Sequence, residues 1–383
     1  MLSVKADQKH NIMAAPVKMD WNSNLPIYAS ASFLKTVSDE YGWIGGVDDN
    51  GKLLCILPYS LIHKSVFRLI RFPVQTIFLE GELDIHREKV FLNSAVEYFR
   101  SIGSDLIIPA TFNTIFRTYP DGAMVAPYGS YTLNLDQSEE TLWNNLHQKH
   151  RNVIRNAMKK GVKIRTGIEY LEKAYFLVRD SFRRSAKGYM GKMRIGFRMD
   201  FDAFKQQVLS LGENVRVVIA EYEGVMQGCA VIPYSHHCAY YMHGGSIPNP
   251  LTGAMNLLQW EAIRLFRELG VRHYDLFGVR LDPKKGSKAE GIMKFKERFG
   301  GQLIRGYMWK FSFRPLKYFL YSIAVRVRSG GDVVDQECHT VNTILNDDNN
   351  ANAPSAMFSA LGRRISPTYL PDEPNISLNW QVH

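Results

Sequence analysis

Hydrophobic and polar positions along the first part of the chain follow a mixed strand and helix pattern. A hairpin is predicted around Asp49-Asn50-Gly51, a strong turn signal, and a helix is predicted to end before Gly103. These patterns predict a mixed α/β lobe over residues 26–129. Residues 1–25 show no period, so we expect an irregular N-terminus there.

A second lobe is predicted over residues 130–311. Apolar residues line one helical face over residues 139–160, as one helix or as two joined at a bend, and Gly161 ends this segment. Three strand-like runs then predict an antiparallel meander, and a helix closed by Gly270 and a short buried strand follow. The three runs are residues 215–222, 225–234 and 238–244. This order of elements resembles the core of a GNAT-type acyltransferase.

The end of the chain differs from the two lobes in charge. Residues 312–330 predict a basic helix, and residues 331–383 form an acidic, low-complexity tail. From Asp332 onward the chain has seven acidic residues and two arginines, a net charge of −5. Because the whole chain has a net charge of +10, residues 1–331 carry +15. A basic body indicates a partner with phosphates, such as a nucleic acid, a nucleotide-linked substrate or an anionic membrane.

Composition narrows the class of protein. With 45% hydrophobic and 22% charged residues the chain is globular. Since it shows neither a run of about 20 apolar residues nor a secretory leader, we expect a cytosolic location. The four cysteines have no metal-ligand spacing, so we expect reduced thiols, no metal and no resident cofactor.

Two acid-free basic stretches are candidate phosphate contacts. Residues 141–168 contain seven basic side chains, of which Arg151, Arg155 and Lys159 fall on one helical face. Residues 181–199 contain Arg183, Arg184 and Lys192 beside Gly188 and Gly191 and are predicted to form a flexible loop. A solvated charged face is the structural alternative, but such faces usually mix signs, which favours anion binding.

Several ordered motifs in residues 130–311 resemble the Fem family of peptidoglycan-bridge aminoacyltransferases. The resemblance rests on an Asn- and Arg-containing helix pair, a His-Gly-Gly-Ser strand end, a Tyr-Asp-Leu-Phe-Gly-Val strand and a Phe-Lys-x-x-Phe-Gly-Gly segment. These motifs begin at Leu142, His243, Tyr274 and Phe295. The implied fold class is α/β, of the α+β type, with two GNAT-like lobes whose mixed, mostly antiparallel sheets are flanked by helices.

The resemblance implies amide-bond formation. In the family an amine attacks an aminoacyl ester carried by tRNA, and the aminoacyl unit is added to a peptidoglycan precursor. Lys296 is then expected to stabilise the tetrahedral oxyanion and the Phe295 carbonyl to hold the amine. On local sequence alone, Lys296 would be one more solvated lysine.

Four further positions are candidate site residues. Asp275 lies on a predicted buried strand, where a carboxylate must be paired or hydrogen-bonded, so it orients a basic group, accepts a proton or forms a structural salt bridge. His243 precedes two glycines at a strand end, and Tyr274 neighbours Asp275. Arg280 opens a basic loop that is a second candidate phosphate contact.

Two departures from the family pattern leave acceptor and donor open. Where the family's first helix carries a phosphate-binding lysine, this chain has Ser38, with Lys35 one turn away. The segment from Asn249 to Ala254 lacks the glycine-rich loop of acyl-coenzyme A sites, which disfavours that donor. The alternatives are an acyl-coenzyme A-dependent N-acyltransferase of polysaccharide or lipid biosynthesis and a nonenzymatic tRNA- or anion-binding module.

The basic helix carries a separate hypothesis. Aromatic and aliphatic residues alternate there with Arg314, Lys317 and Arg326, and no acid occurs between Arg298 and Gly331. Such a segment suits peripheral contact with the inner face of the plasma membrane. The alternative is a terminal helix packed on the first lobe.

Overall fold

The computed structural model describes residues 12–109, 114–185 and 200–337. The tail expected beyond residue 337 lies outside these ranges. Within them, fourteen strands, nine α-helices and three short 3₁₀ helices form two lobes.

Single strands or groups of strands alternate with single helices or helix pairs along the chain. The strands are β1 (Ile12–Val17), β2 (Glu40–Asp48), β3 (Leu53–Lys64), β4 (Phe67–Arg71), β5 (Ile77–Phe78), β6 (Leu106–Ile107), β7 (Met124–Asn134), β8 (Lys163–Thr166), β9 (Val215–Tyr222), β10 (Val225–Pro233), β11 (Cys238–Tyr240), β12 (His243–Ser246), β13 (His273–Val279) and β14 (Gln302–Ser312). The helices are α1 (Ala31–Val37), α2 (Ile85–Ser101), α3 (Glu139–Asn145), α4 (Gln148–Lys159), α5 (Leu171–Ser185), α6 (Phe201–Leu209), α7 (Ala254–Glu268), α8 (Lys288–Glu297) and α9 (Pro315–Ser329).

One ten-stranded sheet runs through both lobes in the order β1-β2-β3-β4-β6-β14-β7-β13-β11, with β5 beside β3. The pairs β4–β6 and β11–β13 are parallel, and the others are antiparallel. A second, antiparallel sheet has the order β12-β10-β9-β8. The predicted fold class, two mixed and mostly antiparallel lobes, is therefore confirmed, and β14 joins them by pairing with β6 and β7.

Three sequence-based expectations are corrected. The N-terminus is not irregular throughout, because β1 pairs with β2 from Ile12 to Val17. The boundary expected between residues 129 and 130 falls inside β7, whose partners β13 and β14 belong to the second lobe. The third strand-like run is two strands, since β11 joins the large sheet and β12 pairs with β10.

Local sequence signals explain where the second lobe's helices begin and end. The segment 139–160 forms two helices that bend at Leu146, which has an extended conformation. Gly161 and Gly270 follow α4 and α7 with φ of 86° and 72°, values that favour glycine. At the start of α8 the Ser287 hydroxyl accepts a hydrogen bond from the Glu290 amide.

The hydrophobic cores also tie the lobes together. The largest cluster lies between α7 and the strands of the second lobe. A second cluster contains Tyr28 and Phe33 from the first lobe together with Val178, Val217 and Tyr240 from the second. Helix α1 therefore packs into a hydrophobic core that it shares with the second lobe.

Helix α9 packs on the first lobe through Tyr318 and Tyr321, which contact a cluster around Leu69 and Leu106. Its Lys317 ammonium donates to the Asp105 carboxylate at 2.8 Å. Packing on the first lobe is therefore confirmed. None of the helices in the described ranges has the length and apolar composition needed to cross a bilayer.

Candidate active site

The second lobe opens where strands β11 and β13 separate. Their parallel pairing runs from Cys238–His273 to Tyr240–Asp275, and the Tyr241 amide then donates to the Asp275 carbonyl at 2.9 Å. Beyond this point the chain leaves for the second sheet as β12. The two strands thus diverge just after Asp275, and we call this point of divergence between the sheets the cleft.

A bulge in β13 marks the base of this cleft. The register between β13 and β7 shifts between Asp275 and Gly278, and Phe277 has a φ of 72°, unusual for a residue with a side chain. The Asp275 carboxylate accepts a hydrogen bond from the Phe277 amide at 2.6 Å and another from the Ser130 hydroxyl of β7. Asp275 therefore holds the bulge in place, and the bulge turns successive carbonyls toward α8.

Lys296 of α8 reaches those carbonyls. Its Nζ donates to the carbonyl oxygens of Phe277 at 2.8 Å and Gly278 at 3.0 Å, and the residue is 7% exposed. An ammonium has three N–H donors, so one remains for a further acceptor. The solvated-lysine alternative is wrong, because Lys296 is the buried residue of α8 and bonds to the bulge.

Burial shifts the pKa values of Lys296 and Asp275 in opposite directions, each toward the uncharged form. Desolvation lowers the pKa of Lys296 to about 8, and the charge of Asp275 opposes that shift. Burial likewise raises the pKa of Asp275, against the hydrogen bonds from Ser130 and Phe277 and the charge of Lys296. The site therefore presents a cation near neutral pH that a modest rise in pH discharges.

Phe295 precedes this lysine and faces the other way. Its ring lies 5.5 Å from that of His150 and 5.2 Å from that of Phe299, between α4 and α8. Burial, with the charge of Arg298 and then that of His147, lowers the pKa of His150 to about 4, so this imidazole is neutral. The Phe295 side chain thus anchors α8, and the role expected for its carbonyl stays a prediction.

Residues 148–296 match the family described as acetyltransferase (GNAT) domain. The match covers most of the second lobe, which therefore has a GNAT-type fold. The chain shares its fold with the crystal structure of FemX, at a TM-score of 0.56 and 15% identity over 76% of this chain and 92% of that one. The Fem-like arrangement of two GNAT lobes expected from the sequence is therefore confirmed at the level of the fold.

Two other solved structures are similar over comparable lengths. One is the C-terminal domain of a putative lysylphosphatidylglycerol synthetase from Agrobacterium fabrum, with a TM-score of 0.48 and 13% identity over 79% of this chain and 94% of that one. The other is a tandem GNAT protein from the clavulanic acid biosynthesis pathway, with a TM-score of 0.41 and 13% identity over 79% and 99%. No curated protein matches the sequence.

The basic face of α4 in the GNAT domain divides into a structural and a solvated part. Arg151 donates to the carbonyl oxygens of Asn144 at 2.8 Å and Leu146 at 2.5 Å, so it closes the turn between α3 and α4. Both bonds use the same guanidinium nitrogen, so the expected role of Arg151 as a phosphate contact stays a prediction. Arg155 lies over the Trp143 ring at 5.3 Å and is exposed, as is Lys159, so both can meet an anion.

The second basic stretch lies partly beside the cleft. Arg184 donates to the Ser246 carbonyl at the end of β12, and Arg183 is exposed at the end of α5. Lys192 lies outside the described residues. Arg280 is paired with Glu337 at 2.8 Å and with the Gln336 side chain at 2.9 Å, so the last described segment occupies the guanidinium expected to bind phosphate.

Two predicted substrate contacts are placed away from the Lys296 ammonium. Tyr274 has no exposed surface, and its hydroxyl donates to the Gln259 side chain at 2.8 Å, so its expected role is corrected to a core one. The His243 ring lies 5.3 Å from Phe204, and burial lowers its pKa to about 4. His243 is therefore a neutral group that packs against α6 at the start of β12.

The sequence did not indicate Ser130 or the conformation of Phe277. Ser130 lies 145 residues from Asp275 in a strand without a clear hydrophobic alternation, so only the sheet pairing brings them together. A polar residue within that strand was the one available signal. The left-handed conformation of Phe277 depends on the bulge, which has no sequence signature beyond the Gly278 that follows.

The charge coupling at the site gives a pH prediction. Replacing Asp275 with asparagine removes the charge that raises the Lys296 pKa, so that pKa should fall below about 8 while an acceptor for Ser130 and Phe277 remains. The alkaline limb of the transfer rate should therefore move to lower pH. A pH profile of kcat measures this, with Glu297→Gln, the exposed neighbour of Lys296, as the control. An unshifted limb in Asp275→Asn would contradict the coupling.

Proposed function

We propose that this protein is an N-acyltransferase that moves an aminoacyl group from aminoacyl-tRNA to an amine of a cell-envelope precursor. The observation that carries the proposal is the Lys296 ammonium at the β13 bulge, where β11 and β13 separate. The choice of an envelope precursor is supported by the Fem-like motifs of residues 130–311 and by the fold shared with FemX.

The chemistry needs charge stabilisation more than a strong base. The amine attacks the ester carbonyl, negative charge develops on the carbonyl oxygen, and the C–O bond to the tRNA ribose then breaks. The proton lost by the amine balances the one gained by the leaving hydroxyl. Lys296 holds two N–H groups on backbone carbonyls, and its third can donate to the oxyanion.

The entrance to α7 supports a donor other than acyl-coenzyme A. A pyrophosphate would need free amides there, but Pro250 has none and the Leu251 amide donates to the Gln227 side chain at 2.9 Å. The Ala254 amide donates to the Leu251 carbonyl at 2.9 Å. These amides are therefore already used within the GNAT domain.

Exposed cations on the second lobe suit a polyanionic donor. Arg155 and Lys159 lie on α4, and Arg183 lies at the end of α5. The α4 segment is acid-free in sequence, so no carboxylate of its own neutralises this face. A tRNA backbone is the ligand that such a field attracts, and its binding should weaken steeply with salt.

The second candidate is an acyl-coenzyme A-dependent transferase, favoured by the match of residues 148–296 to a family described as an acetyltransferase domain. Ligand-dependent thermal stability separates the two donors, because a ligand that binds the folded state raises Tm. We expect charged tRNA to raise Tm and acetyl-coenzyme A to leave it unchanged. Uncharged tRNA is the control for the acyl group, and protection by acetyl-coenzyme A alone would transfer the assignment to the second candidate.

A further inference from the structure

Helix α9 presents an apolar stripe to solvent. Five residues at helical spacing form it, and we call them the α9 stripe. They are Leu316, Phe319, Leu320, Ile323 and Val327, which are 74%, 60%, 49%, 46% and 63% exposed. A helix that only caps the first lobe would turn this face inward.

The helix is nevertheless fixed, and by its opposite face. Tyr318 and Tyr321 pack into the first lobe, and the Phe67 ring lies 5.8 Å from that of Tyr321. Lys317 bonds both the Asp105 carboxylate and the Val66 carbonyl, each at 2.8 Å. Rotating α9 to bury the stripe would break these contacts, so the exposed stripe belongs to the folded state.

The turn between β3 and β4 lies next to the start of α9. Val66 at its tip is 65% exposed, and its carbonyl is the acceptor for Lys317 at the start of α9. Two separate elements thus expose large apolar side chains near the start of α9. Single exposed apolar residues are ordinary, whereas a contiguous group of them indicates an interaction surface.

Charge around the stripe is basic. No acidic residue occurs from 299 to 331, and Arg314 and Arg326 are exposed at the two ends of α9. Asp332 and Asp335, the first carboxylates after α9 in the chain, pair with Lys310, and Asp105, which contacts α9, pairs with Lys317. The exposed charges of α9 itself are therefore basic and favour an anionic partner.

We propose that the α9 stripe and Val66 dock on an anionic lipid bilayer, with the helix axis in the plane of the interface. The apolar side chains enter the boundary between headgroups and acyl chains while Arg314 and Arg326 meet lipid phosphates. A bilayer suits this surface better than a second copy of the chain, because pairing two stripes would bring like charges together. The proposal does not depend on the identity of the donor or acceptor.

Vesicle flotation of the full chain tests the proposal. We expect the protein to float with vesicles of phosphatidylcholine and phosphatidylglycerol at low salt, and to stay behind with phosphatidylcholine alone. The double variant Phe319→Gln and Ile323→Gln should reduce the bound fraction by about tenfold or more, since both side chains lie in the stripe. Val225→Gln, at an exposed turn of the second lobe, should bind like the unchanged protein.

Several outcomes would overturn the proposal. Absence of flotation with the anionic vesicles at low salt is one, and equal flotation of the double variant is another. A concentration-dependent dimer that the double variant abolishes would assign the stripe to a second copy of the chain instead. Retained thermal stability of the variant shows that any loss of binding reflects the surface and not the fold.

Discussion

Replacing Lys296 with methionine is expected to lower kcat for acyl transfer by about 10²–10³-fold, the usual cost of removing one oxyanion donor. Methionine keeps much of the side-chain volume while it removes the ammonium that bonds the Phe277 and Gly278 carbonyls. Because the lost interaction forms in the transition state, KM for the donor should change little. Single-turnover transfer from the donor identified by thermal protection measures the effect.

Lys294→Met is the matched control for this experiment. Lys294 lies on the same helix, but its side chain is 48% exposed and pairs with Glu290 at 2.6 Å. We expect its variant to turn over at close to the original rate. Lys296→Arg retains a cation that does not titrate near neutral pH, so any activity it keeps should lose its alkaline limb. Full activity of Lys296→Met in a folded protein would remove Lys296 from the mechanism.

Replacing Gly253 with alanine is expected to lower the free energy of unfolding by about 3 kcal/mol or more, because a conformational penalty and a steric penalty add. Gly253 precedes α7 with a φ of 91°, a conformation that side chains disfavour. A methyl group there would overlap the Val153 carbonyl of α4, whose carbon lies 2.9 Å away. Helix α4 approaches the entrance to α7 so closely that only a residue without a side chain fits.

Gly161→Ala separates the two penalties. Gly161 has a similar φ of 86°, but a methyl group there would meet nothing within 4 Å. Its variant should lose about 1 kcal/mol, the conformational cost alone. Urea denaturation of both variants gives the comparison. Equal losses would mean that α4 moves aside at no cost and that the close approach does not constrain the site.

Strands and helices with local signals were predictable, and those that depend on distant partners were not. The hairpin at Asp49-Asn50-Gly51 and the helix ends at Gly161 and Gly270 follow from turn chemistry, and the structure has them. Strand β7 was missed because Pro127 and Gly129 interrupt it. The proline is tolerated because β13 pairs only with residues 129–134, which leaves one side of Pro127 without that ladder.

The site was predictable in part for the same reason. The burial of Asp275 and its need for hydrogen-bond partners followed from its apolar neighbours, whereas its partner Ser130 lies in the missed strand. Arg151 was grouped with Arg155 by helical spacing, but spacing does not show that the turn before α4 leaves carbonyls within reach of Arg151. The charge pattern therefore predicted which face of α4 is basic, but not which partner each basic side chain has.

The shared sheet limits how this molecule can move. Strand β14 pairs with β7 from Gln302 to Lys310 and with β6 at Phe311 and Ser312, so one ladder of hydrogen bonds crosses from lobe to lobe. A hinge between the lobes would have to break that ladder. We therefore expect the two lobes to move together as one rigid unit when the enzyme binds and releases its ligands. Side chains and the loops around the cleft would then accommodate the substrates.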